Sequence, residues 1–167
     1  NFLNLYFQNL QKIPIIIRTM NNEIIDLYET FDSQYLSISK KYLHVPESDI
    51  DTTLRNHSAI YAYFAALLSY AKRIKDNKAI EVDKTESEVM EKRRAELEMS
   101  GQKATQGALN SYVLSVPLIV QLKEELATAD SKYSLAKSFI NALDHQKDCL
   151  VQISANKRAE AKLFSTN

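Results

Sequence analysis

An all-α protein of long helices is what this sequence predicts, and three observations carry that reading. Only two of its 167 residues are glycine, where average usage of about 7% would give about a dozen. Antiparallel hairpins and dinucleotide-binding units need turn glycines that this chain does not have. From Ser48 to Glu98 there is neither Gly nor Pro. Finally, the last third of the chain alternates steps of three and four residues over five heptads, mainly apolar, with polar Lys147 and Ser154 weakening the far end. With 45% apolar and 25% charged residues, the composition fits one domain or one long-helix subunit of an assembly.

Residues 1–19 differ in character from the rest of the chain. Asn4-Leu5-Tyr6-Phe7-Gln8 matches most of the recognition sequence of a tag-removing protease, and Met20-Asn21-Asn22-Glu23 resembles a natural start. The segment is therefore set aside as a tag or leader, the other reading being a native extended arm centred on Ile15–Ile17. No window reaches the eighteen apolar residues of a membrane span, so a soluble, cytoplasmic protein with no membrane partner is expected.

An N-terminal helical segment is placed at 20–47. Within Glu23–Leu43, Ile24, Leu27, Tyr28, Phe31, Tyr35, Ile38 and Tyr42 recur at helical spacing. Pro46 disfavours a helical Val45, which ends this helix. Residues 48–167 form the long-helix region. Ser48 is a good N-cap, and Asp49 and Asp51 suit the positive end of a helix dipole. A helix from Ser48 to about Glu98 would measure about 75 Å. Ser100-Gly101 stops it, with Gly101 suited to a left-handed cap.

Thr105–Leu114 reads as a short helix or ordered loop. Ser115-Val116-Pro117 opens a second long helix, with Pro117 in the first turn where its missing N–H costs nothing. This helix runs to about Lys162, about 70 Å. Two helices of matched length and a short connection predict a long antiparallel hairpin, coiled-coil-like, assembling into an oligomer.

The seam is Ile119, Leu122, Leu126, Ala129, Tyr133, Ala136, Ile140, Leu143, Lys147, Leu150 and Ser154. Leu118, Leu135, Phe139, Val151 and Ile153 widen it beyond a two-helix contact. In the other helix Ala59–Leu68 is apolar all round, which implies burial on every side. The cover is either residues 23–43 or another subunit.

Catalytic constellations are sparse. There is no phosphate-binding glycine loop, no cysteine pair and no HExxH spacing. One Cys excludes an internal disulfide. His57, between Leu54 and Tyr61, is expected in the core or an interface. Asp144, His145 and Asp148 suit a solvated face, and Cys149 suits a small buried hydrophobe. No cofactor, no metal and no enzyme activity are expected.

Charge is neutral overall but uneven. Residues 20–51 hold seven acids against Lys40 and Lys41, and residues 52–167 hold 17 basic and 14 acidic side chains. Lys72, Arg73, Lys75 and Lys78 follow the apolar run, Lys92, Arg93 and Arg94 come later, and Lys103 sits near the tip. Positions 72, 75 and 78 fall roughly on one helical stripe that would suit a phosphate backbone. Interleaved Glu81, Asp83, Glu86, Glu88, Glu91, Glu96 and Glu98 favour a plain solvated helix instead. Tyr63 and Tyr70 have the spacing to stack bases, although core packing explains them more simply.

Several segments resemble the UvsY-type recombination mediators of tailed phages. Tyr112-Val113-Leu114-Ser115 through Val120-Gln121-Leu122-Lys123 is similar to the start of the family's later long helix. Ala142–Leu150 through Lys157-Arg158-Ala159-Glu160 is similar to its tail, and Asn56-His57-Ser58-Ala59-Ile60-Tyr61 to its entry motif. Lys92 and Arg94 take the place of a Lys-x-Arg pair ahead of the connecting loop. The likeness covers roughly residues 50–161, while Pro117 and the acid-rich 20–51 segment depart from it.

The resemblance implies a ring-like homo-oligomer that binds single-stranded DNA. Such a protein loads a RecA-like recombinase in place of single-strand-binding protein, in the host cytoplasm if phage-encoded. Lys92 and Arg94 would contact phosphates, and charge clustering adds Lys72, Arg73, Lys75, Lys78, Arg93 and Lys103. The alternative is an all-helical oligomeric scaffold or phage structural protein with no nucleic-acid role.

Overall fold

The structure, a computed structural model, describes the backbone of residues 2–45 and 49–165 and the side chains of 22–45 and 49–163. Its described residues form four helices and no strand: α1 (Phe2–Leu43), α2 (Ile50–Met99), α3 (Gln106–Ser115) and α4 (Pro117–Ser165). The all-α expectation holds. α1 starts at Phe2, so the backbone of residues 2–19 continues the helix of 23–43 without a break. The Ser48 cap lies outside the described residues, and α4 runs three residues beyond Lys162.

The punctuation follows backbone chemistry. After α2, Gly101 N–H donates to Glu98 O (3.0 Å) and Gln102 N–H to Leu97 O (2.9 Å), with Gly101 at φ 71°. This paired bond pattern is the Schellman motif, and it needs a residue that accepts positive φ. α3 is capped by Thr105, whose hydroxyl accepts from Ala108 N–H at 3.4 Å. Val116 is extended (φ −74°, ψ 118°), as a residue before proline should be. Its carbonyl accepts from Ile119 and Val120, so α4 begins at once with Pro117 in its first turn.

The chain divides into two compact units, Asn1–Tyr70 with Leu135–Asn167, and Ala71–Ser134. The first has an aromatic centre. Phe139 of α4 is fully buried, with ring contacts to Phe64 (4.4 Å), Phe31 (5.8 Å) and Tyr35 (6.2 Å). Ile24, Tyr28, Phe31 and Ile38 of α1 are buried, and so are Ala136, Ile140, Leu143 and Leu150 of α4. These are the three-four positions read from the sequence. Lys147 of the same seam is exposed.

His57 is the core histidine that its spacing predicts. Its Nε2–H donates to the Leu143 carbonyl at 2.9 Å, and its ring stacks beside Tyr61. Gln146 Nε2 donates to the Tyr42 carbonyl near the end of α1, at 2.9 Å. That bond satisfies one of the carbonyls a helix end leaves unpaired.

Two expectations are corrected in this unit. Ala59–Leu68 is not buried on every side. Phe64 and Leu67 are buried while Ala59, Ala62 and Ala66 are exposed, so the outer face is made of methyl groups that cost little in water. Phe31 and Tyr42 of α1 cover the inner face through contacts to Phe64. Cys149 is exposed rather than buried. It precedes buried Leu150 by one residue, a rotation of about 100° that carries it off the seam. Asp144, His145 and Asp148 are exposed as expected.

In the second unit Ala71, Val82 and Leu97 of α2, Leu109 and Val113 of α3, and Ile119, Leu122 and Ala129 of α4 are buried. α3 lays its Leu109–Val113 edge inward, a spacing of four on one helix face. Leu118, which widens the apolar face of α4, is 52% exposed.

Candidate nucleic-acid interface

All eight cations singled out in the sequence lie in the second unit, and they fall into two groups. Lys75 and Lys78 face α4. Lys75 Nζ pairs with Asp130 at 2.5 Å and lies 5.0 Å from the centre of the Tyr133 ring. Lys78 Nζ pairs with Glu125 at 2.7 Å and with Glu81 at 2.9 Å. Glu125 also accepts from Gln121 Nε2. Hydrogen bonding to Asp130 raises the Lys75 ammonium above its ordinary value, and bonding to Glu125 and then Glu81 does the same for Lys78. The bond from Lys78 holds the Glu125 carboxyl below its ordinary range.

The stripe at 72, 75 and 78 is therefore not an open cationic track. Two of its three members are engaged with carboxylates of α4. The third, Lys72, is exposed and lies 3.6 Å from Asp76, one turn on. Arg73 is exposed beside it.

The later cluster is divided by helix geometry. Arg93 turns inward, its guanidinium 4.8 Å from the centre of the Tyr112 ring on α3 and 3.1 Å from Glu96. Lys92 and Arg94 sit about 100° to either side of it, both exposed. Neither makes an ion pair with a described carboxylate. Lys103, in the connection after Gly101, is likewise exposed and without such a pair. The structure thus leaves Lys92, Arg94 and Lys103 accessible toward the Gly101 end of α2. It does not place Lys92 and Arg94 on one face.

Sequence reasoning missed Asp130, Glu125 and the pair between Glu86 and Lys123 (2.6 Å). Their signal was present but faint. Lys75, Lys78 and Glu86 on α2 meet Asp130, Glu125 and Lys123 on α4, opposite charges in reversed numerical order. Among the described residues no group of three or more His, Cys, Asp or Glu is arranged to hold a metal ion. No helix in that set is long and apolar enough to cross a membrane.

Comparison with protein-family models, with curated proteins and with solved structures finds no match to this chain.

Proposed function

We propose that the chain is a non-enzymatic helical protein that assembles into an oligomer and binds single-stranded DNA, acting as a recombination mediator. In this reading it loads a RecA-like recombinase in place of single-strand-binding protein. α2 and α4 run antiparallel within each unit. The reversed order of the charge pairs supports this in the second, and His57–Leu143 with Phe64–Phe139 supports it in the first. Exposed Leu118 and Val120 on α4 would meet a neighbouring copy.

The observation that carries the reading is selective pairing. Lys75, Lys78 and Lys123 are engaged across the helices, whereas Lys92, Arg94 and Lys103 are exposed and hold no ion pair among the described residues. Because Lys92 and Arg94 lie on opposite flanks, a strand touching both crosses the outside of α2 at Ala95. Contacts repeated by several copies would compensate for few contacts per chain. Backbone neutralisation of this kind gives little sequence preference.

One observation favours the scaffold reading. The second unit holds eleven basic and eleven acidic side chains, and Glu91 and Glu98 are exposed near Ala95. A balanced surface of that kind attracts polyanions only weakly.

Fluorescence anisotropy of labelled poly(dT) across a salt series separates the two. The mediator reading expects affinity that falls steeply with salt. It also expects Lys92→Glu/Arg94→Glu to weaken binding strongly while the oligomer persists, and Lys75→Met/Lys78→Met to leave it nearly unchanged. Absence of binding at low salt by folded, oligomeric protein would leave the scaffold reading.

A further inference from the structure

Lys40 and Lys41 are the only cations between residues 20 and 51, a segment with seven acids. Its first four acids, Glu23, Asp26, Glu29 and Asp32, all precede Gln34, so the two lysines close α1 in a stretch of opposite character. In the last turn they complement the negative end of the helix dipole. That role does not require a concavity beside them, and the structure has one. Lys40, Lys41, His44, Thr52, Thr53 and Asn56 line a hollow of about 330 Å³ where α1 gives way to α2. Asp49 stands in its wall, yet neither lysine pairs with it or with any other described carboxylate.

A second hollow of about 310 Å³ adjoins the first, the two sharing Lys41 and Tyr42. Its lining is of another kind: Leu27, Ile38, Tyr63 and Phe64, with Gln34 and Ser37 as polar members. The Lys41 ammonium lies 4.9 Å from the centre of the Tyr42 ring, at the boundary between the two. Both volumes fall at the lower end of the range of ligand sites, roughly 300–1,000 Å³. All of these residues belong to the first unit.

We propose that the α1–α2 junction binds a nucleoside 5′-phosphate, its phosphate between Lys40, Lys41 and Asn56 and its base against half-buried Tyr63. Ammonium groups supply point charge, and the Asn56 amide and Thr52 hydroxyl supply hydrogen bonds to phosphate oxygens. The aromatic hollow supplies a ring-sized apolar surface, which accepts any base by stacking. The same group is presented by a free mononucleotide and by a DNA strand, and the test distinguishes them. This site shares no residue with the Lys92 and Arg94 surface and does not rest on its role.

The test is calorimetric titration of the full chain with dTMP, thymidine and inorganic phosphate. Binding of dTMP is expected to exceed that of either part. Lys40→Gln/Lys41→Gln is expected to weaken it about tenfold or more, the scale of a lost charge-assisted bond. Asn56→Leu, which fills the polar hollow without changing charge, should also weaken it, and Lys92→Glu/Arg94→Glu should not. Displacement of dTMP by an eight-residue oligo(dT) assigns the phosphate to a strand, and failure to displace assigns it to a free nucleotide. Absence of dTMP binding, thymidine binding as tightly as dTMP, or affinity unchanged in both the double-lysine and Asn56 variants would overturn the proposal. Thermal melts of each variant show that the fold is kept.

Discussion

Lys78 of α2 and Glu125 of α4 meet at 2.7 Å, each shifting the other toward its charged form. The direction of each shift sets where the contact helps. Glu125 has a folded value below its ordinary 4.5, so its contribution is present above that pH and is lost as pH falls through the folded value. Lys78 has a folded value above its ordinary 10.5, so its contribution is present below that pH and is lost as pH rises through the folded value. Urea midpoints are therefore expected to show a plateau component between these limits and a decline at each end. Glu125→Gln should flatten the acid limb, and raised salt should shrink the whole effect, because the pair is partly open to solvent.

Phe139 is the position whose loss should cost most. It is fully buried among three aromatic rings drawn from α1 and α2. Phe139→Ala removes that volume and is expected to destabilise by about 3–5 kcal/mol. Chemical denaturation followed by circular dichroism measures the loss. A change under about 1 kcal/mol would show that the surrounding rings collapse into the space.

Ser39 offers a change in the other direction. Its hydroxyl is buried with no hydrogen-bond partner among the described residues. Ser39→Ala removes the unpaired group and raises helix propensity, so a gain of about 1 kcal/mol is expected. A loss on thermal melting would mean that the hydroxyl has a partner in solution.

Gly101 has open space where a Cβ would stand but a backbone at φ 71°. The cost of Gly101→Ala is then that of the left-handed conformation alone, about 1–2 kcal/mol. Gly107, which has the same open space without positive φ, is the control. Gly107→Ala is expected to be neutral or mildly stabilising.

The contrast between these positions explains what was legible in the sequence. Ile119, Leu122, Ala129, Ala136, Ile140, Leu143 and Leu150 are buried because a three-four repeat depends only on residues along one helix. The stops at Gly101 and Pro117 are legible for the same local reason. The partners of Lys75 and Lys78 lie on α4, tens of residues away, and no property of α2 alone separates an engaged lysine from an exposed one. Cys149 stands a single step of rotation from buried Leu150, a margin that composition does not resolve. Ala59, Ala62 and Ala66 are apolar but small, so their exposure costs little and an all-apolar run does not require burial on every side.

The hydrogen bond from His57 to the Leu143 carbonyl has a consequence for alignment. A repeating apolar seam is nearly unchanged when one helix slides along the other by a heptad, since knobs then meet equivalent holes. An imidazole buried at one level rejects slides that are not whole heptads, since no carbonyl then faces it at the same depth. A whole-heptad slide would offer it the carbonyl of Ala136 or Leu150, but would set Lys132 or Gln146 against Phe64 in place of Phe139. His57 and Phe64 together thus act as a detent, selecting within the first unit one axial alignment of α2 and α4 from several that a repeating seam alone would accept.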